Sequence, residues 1–283
     1  MRRPPVRKTA TKAPKSARRP TMADQADKYD LYIRAVQSPD VEVSFFDRTF
    51  RRHYGRRPTT LREDFCGTAA VCYEWVRSSP ARRAIGVDID GEPLAWGAQR
   101  FGAELKNGQG SRIRLVHGDV RTTRSKSEVI AAQNFSYFCF ETREALGTYF
   151  RHVRRCLDDE GMLVMDVLGG SEVIEDDREE ETRFGRFRYV WEHRDFDPVS
   201  HHCSYAIHFR FRDGSELRNA FRYEWRLWSL PELRELLAEA GFSSSEVYWE
   251  ATDRKTGEGN GIYRKRDRGD ADPAWVVYLV GWK

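Results

Sequence analysis

The segment Leu61-Arg62-Glu63-Asp64-Phe65-Cys66-Gly67-Thr68-Ala69 decides the architecture, because it leads from a short apolar strand through a single-glycine turn into a helix. Its pattern predicts a strand at residues 59–65 and a helix at 69–78. Apolar runs and helical stretches then alternate as far as residue 168. This alternation is typical of a mostly parallel sheet with helices on both faces, so we predict a doubly wound α/β fold.

Polar residues stand where the predicted strands end. Asp88 ends the second strand (84–89), Asp119 follows the third (112–116) and Asn134 closes the fourth (128–135). Ligands of open α/β sheets bind at the carboxyl ends of strands, and an acid after the second strand suits the two hydroxyls of a ribose. The pattern therefore predicts a ligand that contains a nucleoside.

The turn after the first strand discriminates between nucleoside cofactors. It holds one glycine, Gly67, whereas a dinucleotide site usually has three for close approach to the pyrophosphate. Glu63 and Asp64 beside it would repel a pyrophosphate and attract an ammonium group. S-adenosylmethionine has a ribose, an α-ammonium and a sulfonium, so the charges favour it over a nicotinamide cofactor.

Four motifs, in the right order, resemble those of class I S-adenosylmethionine-dependent methyltransferases, which have a Rossmann-like fold. The motifs are Glu63-Asp64-Phe65-Cys66-Gly67-Thr68-Ala69, Ala84-Ile85-Gly86-Val87-Asp88-Ile89-Asp90, His117-Gly118-Asp119-Val120, and the passage from Arg155-Cys156-Leu157 to Gly161-Met162-Leu163-Val164. The resemblance covers roughly residues 24–283. It implies an enzyme that takes S-adenosyl-L-methionine as its cofactor.

The resemblance also implies roles for individual residues. Glu63 matches the acid that holds the methionine ammonium group, with Asp64 as its alternative, and Asp88 matches the acid that binds the ribose. Gly67 matches the glycine against which the cofactor lies. The further expected cofactor contacts are Asp119 and Val120 at the adenine, and Tyr29, Cys66, Thr68 and Asn134 elsewhere in the site.

Two residues depart from the family pattern. Phe65 and Ala69 stand where the family usually has glycine. The Phe65 side chain would crowd the turn, so we expect either a reshaped loop or a change of role between Glu63 and Asp64. This departure also keeps open a cofactor-binding protein without catalysis.

The candidates for a general base are Tyr137, Asp166 and Tyr223. A base is needed only if the attacking atom carries a proton. Tyr137 closes the segment Asn134-Phe135-Ser136-Tyr137, which loosely resembles the Asn-Pro-Pro-Tyr of methyltransferases that act on amide or adenine nitrogens. Because both prolines are missing, we interpret this segment as a wall on the substrate side.

The second half of the chain predicts an inserted antiparallel β lid at about residues 182–228. Alternating apolar and polar residues mark its strands, and Asp213-Gly214 predicts a hairpin between two of them. We interpret the acidic run before it, residues 172–181, as a solvated loop. The position after the fifth strand is similar to that of the β insertion in small-molecule methyltransferases, which covers the cofactor.

The charge of the chain is unevenly distributed. Among its 283 residues, the first 21 hold eight basic side chains and no acid, so the rest carries 40 basic against 44 acidic groups. We predict a disordered basic tail at residues 1–21 and a single methyltransferase domain at 22–283. The tail could be a solvated extension, an organelle presequence or an anchor for nucleic acid, although the acidic body disfavours a nucleic-acid partner.

Compartment and metal content are constrained by few signals. Five cysteines without a C-x-x-C pair indicate reduced thiols in a cytoplasmic protein, with organelle import left open, and we expect no metal site. No apolar run is long enough to predict a membrane span.

The resulting hypothesis is methyl transfer from S-adenosyl-L-methionine to a small-molecule acceptor through an N or O nucleophile. A nucleic-acid methyltransferase that uses the basic tail is the first alternative. The identity of the acceptor and the oligomeric state stay open.

Overall fold

The computed structural model describes residues 19–106, 108–252 and 259–283, with the side chain of residue 252 excepted. The predictions for the basic tail lie almost wholly outside the described residues. Within the described part of the chain, no helix is long and apolar enough to cross a membrane.

The main sheet has eight strands in the order β3-β2-β1-β4-β5-β12-β10-β11. The first five strands are parallel to one another, and β12 runs antiparallel to both β5 and β10. The strands are β1 (Thr60–Asp64), β2 (Arg83–Asp88), β3 (Ile113–His117), β4 (Ser127–Ala132), β5 (Leu157–Gly169), β10 (Ser244–Thr252), β11 (Gly259–Lys265) and β12 (Trp275–Trp282).

Helices cover both faces of this sheet, which confirms the predicted fold class. The first apolar cluster packs α5 and α6 on one face, and the second packs α2 and α3 on the other. The helices are α1 (Lys28–Val36), α2 (Pro39–Tyr54), α3 (Ala70–Ser78), α4 (Gly91–Gly102), α5 (Arg143–Cys156) and α6 (Leu230–Glu239).

A second, four-stranded antiparallel sheet follows β5 and is called the lid sheet here. Its strands are β6 (Arg178–Phe184), β7 (Phe187–Phe196), β8 (His202–Phe211) and β9 (Glu216–Arg226). The predicted hairpin joins β8 to β9, where Gly214 has a φ of 80°. Helix α1 packs against this sheet through Leu31, so the start and the middle of the chain form one cover.

Two strands differ from the sequence prediction. Residues 178–181, assigned to a solvated loop, belong to β6, an edge strand whose Glu and Arg side chains remain largely exposed. Charged edge strands prevent pairing with other chains, which is why their composition resembles that of a loop. Strand β11 was also missed, and it pairs only with β10 at the far edge of the main sheet.

Candidate functional site

The turn after β1 has the backbone of a glycine-rich loop although it holds one glycine. Phe65, Gly67 and Ala69 all have left-handed φ values, of 57°, 52° and 59°. A left-handed residue with a side chain costs roughly 1–2 kcal/mol, so the surroundings must hold this turn in place. Helix α4 does so at Gly97, where an added Cβ would lie 2.0 Å from the Thr68 carbonyl oxygen.

The Phe65 side chain does not fill the turn, contrary to the expectation from sequence. Its ring packs against Phe140 at 5.9 Å and Tyr149 at 5.8 Å between ring centroids. This packing directs the ring into the core beside α5 and leaves the inner side of the turn to its backbone. The loop is therefore glycine-like in backbone shape despite both departures.

Asp88 connects the end of β2 to this turn. Its carboxylate accepts hydrogen bonds from the Gly67 N–H at 2.7 Å and from the Asp90 N–H at 2.8 Å. Burial raises the pKa of Asp88, while these backbone bonds lower it. The structure thus brings the expected ribose acid and the expected cofactor glycine into direct contact.

Glu63 and Glu42 form a pair of buried carboxyl groups behind the turn. Glu63 accepts a hydrogen bond from the Cys72 N–H in the first turn of α3 at 3.1 Å, and burial raises its pKa to about 7. Glu42, on α2, is 7% exposed, and its Oε2 atom has no hydrogen-bond partner among the described residues. Burial first, and then the charges of Glu63 and Asp166, raise the pKa of Glu42 to about 8.

Sequence analysis missed Glu42, although a signal was present. The residue lies on the buried face of α2, between apolar side chains such as Val43 and Phe46. A carboxyl group in that position is costly to bury in its charged form. An acid that interrupts the apolar face of a helix is thus a candidate for binding a cation.

Asp64 does not reach the candidate site, which corrects its proposed role as an alternative to Glu63. Successive residues of a strand point to opposite faces, and Asp64 points toward α5. It is fully buried, pairs with Arg62 at 2.6 Å and accepts a hydrogen bond from the Tyr149 hydroxyl at 2.9 Å. This buried network stabilises the packing of α5 against the sheet.

The expected adenine contacts lie at the end of β3 but are engaged within the chain. Asp119 pairs with Arg121 at 2.6 Å, and this partner holds the pKa of the Asp119 carboxyl below its usual range. Val120 is buried, and its carbonyl oxygen accepts a hydrogen bond from Arg62 at 2.9 Å. Adenine binding through the Asp119 carboxylate would compete with Arg121.

Two of the predicted bases belong to the scaffold. The Asp166 carboxylate accepts hydrogen bonds from the N–H groups of Asn134 at 2.7 Å and Phe135 at 2.9 Å. Asn134 and Phe135 both have left-handed φ values. Tyr137 is fully buried and donates to the Asp166 carbonyl oxygen at 2.8 Å. The structure therefore assigns both side chains to shaping the turn after β4, which corrects their catalytic assignment.

The remaining expected cofactor contacts are mostly buried. Tyr29 is 7% exposed and its hydroxyl donates to Glu92 on α4 at 3.0 Å, which ties α1 to the edge of the site. Cys66 is buried, and an added Cβ at Gly86 would lie 2.9 Å from its sulfur. The Thr68 hydroxyl is buried without a hydrogen-bond partner in the described part of the chain.

A cavity of about 660 Å³ lies between the lid sheet and the carboxyl end of the main sheet. Asn134 and Phe135 form its inner wall, and Tyr32 of α1 contributes to its rim. Tyr223, the third predicted base, lines the cavity and shares a hydrogen bond with Tyr32. Five other side chains add to its aromatic character, namely Tyr189, Trp191, Trp225, Trp249 and Trp275.

The titratable groups that line this cavity are four carboxylates, three tyrosines that remain protonated and His193. Neither Lys nor Arg is among its lining residues in the described ranges. His193 on β7 is 4% exposed, and its Nε2 atom lies 3.4 Å from Glu180 Oε1, although neither ring nitrogen has a hydrogen bond of good geometry to a described residue. Burial lowers the pKa of His193, so its ring is neutral at pH 7. The four carboxylates are Glu172, Glu180, Glu250 and Asp272.

One group of potential metal ligands occurs on the opposite face of the lid sheet. Glu179, Glu192 and His208 have ligand atoms within 4.8 Å of one another. Arg210 already pairs with Glu179 at 2.8 Å, and Arg194 pairs with Glu192. The His208 Nδ1 atom accepts the Asn219 N–H at 2.7 Å. These bonds make the group an internal ion-pair network of the sheet.

Comparison with known proteins relates the chain to solved structures only. Neither a protein-family model nor a curated protein sequence matches it. The architecture is similar to a S-adenosylmethionine-dependent methyltransferase from Clostridium acetobutylicum, at 18% identity and a TM-score of 0.62, covering 90% of this chain and 96% of the other.

Two further solved structures are similar over most of their length. CalS10, an amino pentose methyltransferase from Micromonospora echinaspora, matches at 16% identity and a TM-score of 0.62, covering 90% of this chain and 96% of its own. The sugar N-methyltransferase KedS8 from Streptoalloteichus matches at 16% identity and a TM-score of 0.60, covering 98% of both chains. The chain thus has the Rossmann-like fold of class I methyltransferases, as its motifs predicted.

Proposed function

We propose that this protein transfers a methyl group from S-adenosylmethionine to a small-molecule acceptor held in the aromatic cavity. The observation that carries the proposal is that two different candidate sites lie at the carboxyl end of the main sheet. The first is the turn after β1, with Asp88 and buried carboxyl groups beside it. The second is the aromatic cavity beneath the lid sheet.

The residues around the turn fit S-adenosylmethionine in charge and in hydrogen bonding. Glu42 and Glu63 are buried acids that a cation would stabilise in their charged form, and the methionine end of this cofactor carries an ammonium and a sulfonium. The Thr68 hydroxyl and the Gln133 Oε1 atom are buried and unpaired among the described residues, so they could also bond to a ligand. Asp88 would hold the ribose hydroxyls.

When bound, S-adenosylmethionine supplies a methyl group that is already activated by the sulfonium. The protein then has to align the acceptor and exclude water. Helix α1 and the lid sheet do this together, because Tyr29 ties α1 to α4 and Tyr32 connects it to Tyr223. Asn134 and Phe135, which line the cavity, follow β4, the strand that pairs with β1.

The same electrostatics disfavour the alternatives. Buried acids at the turn oppose a pyrophosphate, as a dinucleotide would require. A cavity with four carboxylates on its walls likewise opposes a phosphate backbone, as a nucleic-acid acceptor would require. A small neutral or cationic acceptor is the chemistry that agrees with these charges.

Thermal unfolding of the full chain with added ligands tests the cofactor. S-adenosylhomocysteine at about 100 times its Kd should add about 2.7 kcal/mol of stability, a rise in Tm of several degrees. NAD⁺ should leave Tm unchanged. Asp88→Asn should abolish most of the rise, because it removes the charge facing the ribose.

Asp195→Asn is the matched control, since Asp195 is an exposed residue of the lid sheet. It should retain the full response. A rise with NAD⁺ but none with S-adenosylhomocysteine would refute the proposed cofactor.

A further inference from the structure

The aromatic cavity has an electrostatic polarity that the proposed function does not by itself require. Methyl acceptors can be alcohols, thiols or amines, and only an amine is a cation at neutral pH. Of the charged side chains that line the cavity in the described ranges, all are acids. The charges of these described residues therefore favour a cationic ligand over an anionic one.

The carboxylates come from three parts of the fold. Glu180 belongs to β6 of the lid sheet and Glu250 to β10, whereas Glu172 and Asp272 lie near each other, because the Glu172 N–H donates to the carbonyl oxygen of Pro273 at 2.9 Å. Arg178 pairs with Glu172 at 2.7 Å and with Glu180 at 3.4 Å, so part of their charge is compensated. Asp272 has no ion-pair partner among the described residues and is exposed at the rim. Counting the described residues alone, the net charge facing the cavity remains negative.

Aromatic rings line the cavity beside these carboxylates. Trp191 stacks on Tyr205 at 4.9 Å and lies 5.7 Å from Tyr223, and Trp249 lies 5.3 Å from Trp275, all between ring centroids. The faces of such rings attract a cation, and desolvation strengthens this attraction. Carboxylates at the rim with aromatic rings inside form a suitable site for an ammonium group that carries an apolar body.

His193 provides the independent sign of a ligand. It is a buried side chain that lines the cavity, and its Nε2 atom lies 3.4 Å from Glu180 Oε1, while neither ring nitrogen makes a hydrogen bond of good geometry to a described residue. A buried nitrogen without a good hydrogen bond is unfavourable, so a donor that arrives with the ligand would stabilise the complex. A neutral imidazole nitrogen accepts a hydrogen bond from an N–H group and cannot accept one from a quaternary ammonium.

The groups that face His193 allow it to stay neutral. Glu180 and Arg178 of β6 and Glu175 before that strand act on it with opposing signs, and Tyr205 of β8 packs edge-on at 5.1 Å. Burial outweighs these charges and lowers the pKa of His193. At pH 7 the ring is therefore an acceptor for an incoming cation and does not repel it.

We propose that the cavity binds the acceptor as a protonated primary or secondary amine, with its ammonium group against the aromatic rings and carboxylates and one N–H donated to His193. The identification of the bound amine as the methyl acceptor rests on the proposed function. Binding of an amine in the cavity can be tested without methyl transfer. The proposal places the acceptor in the class of amines with an apolar or ring-shaped body.

The test is a fluorescence titration of the full chain, since four tryptophans line the cavity. The probes are 2-phenylethylammonium and its neutral analogue 2-phenylethanol, each with and without S-adenosylhomocysteine. The ammonium should quench the emission with an affinity about tenfold higher than that of the alcohol. Equal affinities, tighter binding of the alcohol, or no response to the ammonium would each overturn the proposal.

Charge-neutral variants separate the carboxylates from the rest of the cavity. Glu180→Gln with Asp272→Asn should lower the ammonium affinity about fivefold or more and leave the alcohol unchanged. The matched control is Glu179→Gln with Asp270→Asn, because these neighbours pair with Arg210 and Arg266 outside the cavity. An equal loss in both double variants would contradict a local role for the cavity acids.

His193→Phe tests the hydrogen bond while keeping a planar ring. It should weaken 2-phenylethylammonium about two- to tenfold and leave 2-phenylethyltrimethylammonium, which has no N–H, unaffected. An equal loss for both cations would assign His193 to structure alone. If S-adenosylhomocysteine binds in calorimetry but the ammonium does not, this inference fails and the proposed function stands; if neither binds, both fail.

Discussion

The turn after β1 and the cavity under the lid sheet both lie at the carboxyl end of the main sheet, and they differ in how far their polar side chains are hydrogen-bonded within the chain. At the turn, Asp88 and Glu63 each accept backbone N–H groups, so much of their charge is already satisfied. In the cavity, His193 has no well-formed hydrogen bond and Asp272 has no ion pair among the described residues. The first region is preorganised by the fold, whereas the second depends on a ligand for its partners.

This difference indicates that specificity for the acceptor can change more easily than specificity for the cofactor. A turn held by backbone bonds and by Gly97 can bind one cofactor in one geometry. A cavity whose selectivity comes from side chains on the lid sheet can change its acceptor by substitution without disturbing the main sheet. Glu42 lies between these two cases, because it is buried at the turn and still lacks a partner for Oε2 among the described residues.

The largest expected effect comes from the preorganised side. Arg62→Met leaves Asp64 buried without its cation, and we expect a loss of about 3–5 kcal/mol in the free energy of unfolding. Urea denaturation followed by circular dichroism measures it. Arg114→Met, which removes an exposed arginine of β3, should stay within about 0.5 kcal/mol of the wild type. A loss below about 1 kcal/mol for Arg62→Met would show that the buried pair does not hold this face together.

Glu42 gives a pH dependence with a definite sign. Its pKa in the folded protein is about 8 against an ordinary value of 4.5, so the unfolded chain releases the proton first. The free energy of unfolding should therefore fall as the pH rises from about 4.5 to about 8. Glu42→Gln should therefore be clearly stabilising at pH 8, and the gain should be much smaller at pH 5.

Denaturant unfolding of both proteins across this range measures the effect. Saturating S-adenosylhomocysteine should shrink the difference at pH 8, because the ligand ammonium would pair with the wild-type carboxylate. A difference between variant and wild type that is the same at every pH would contradict an ionisable, cation-deficient Glu42.

Substitution of Tyr137 tests whether this side chain has a structural or a catalytic role. Tyr137→Phe removes a buried hydrogen bond to the Asp166 carbonyl oxygen, and we expect a loss of about 1 kcal/mol in stability with unchanged cofactor affinity. Tyr223→Phe is the counterpart in the cavity and should alter probe binding more than stability. Unfolding measurements and calorimetry on both variants decide the matter, and the reverse pattern would restore Tyr137 as a site residue.

The smallest expected effect concerns the tie between α1 and α4. Tyr29→Phe removes the hydrogen bond to Glu92, which is an exposed partner, so stability should change by about 0.5 kcal/mol or less. Proteolysis at the start of α1 should nevertheless become faster, and added S-adenosylhomocysteine should slow it again. A proteolysis rate that is unaffected by the substitution would mean that apolar packing alone holds α1.

Much of the fold could be predicted because the pattern repeats along the chain. Helices separate β1 from β2, β2 from β3 and β4 from β5, and each error in a strand boundary leaves the other strands in place. Strand β6 escaped prediction because an exposed edge strand has the composition of a loop. Gly97 gave no signal either, since its close approach to Thr68 arises between elements that are distant in sequence.

The candidate site could be predicted in part. Strand ends and motif positions predict Glu63, Gly67 and Asp88 as cofactor contacts, and the structure places all three around the turn after β1, while their binding roles stay predictions. The direction in which a side chain points depends on packing. The sequence therefore predicted Asp64, Tyr137 and Asp166 as site residues, although their buried side chains form hydrogen bonds within the fold. His193 belongs to a strand from the inserted sheet, and only the folded chain brings it to the cavity.

Calorimetric titration of the full chain with S-adenosylmethionine and with S-adenosylhomocysteine tests the central claim most directly. We expect both to bind with micromolar Kd, the product at least as tightly as the substrate. Asp88→Ala should weaken both by about 1–3 kcal/mol, or about five- to 150-fold. Absence of binding by either ligand to the folded protein would contradict the claim that the turn between β1 and α3 holds this cofactor.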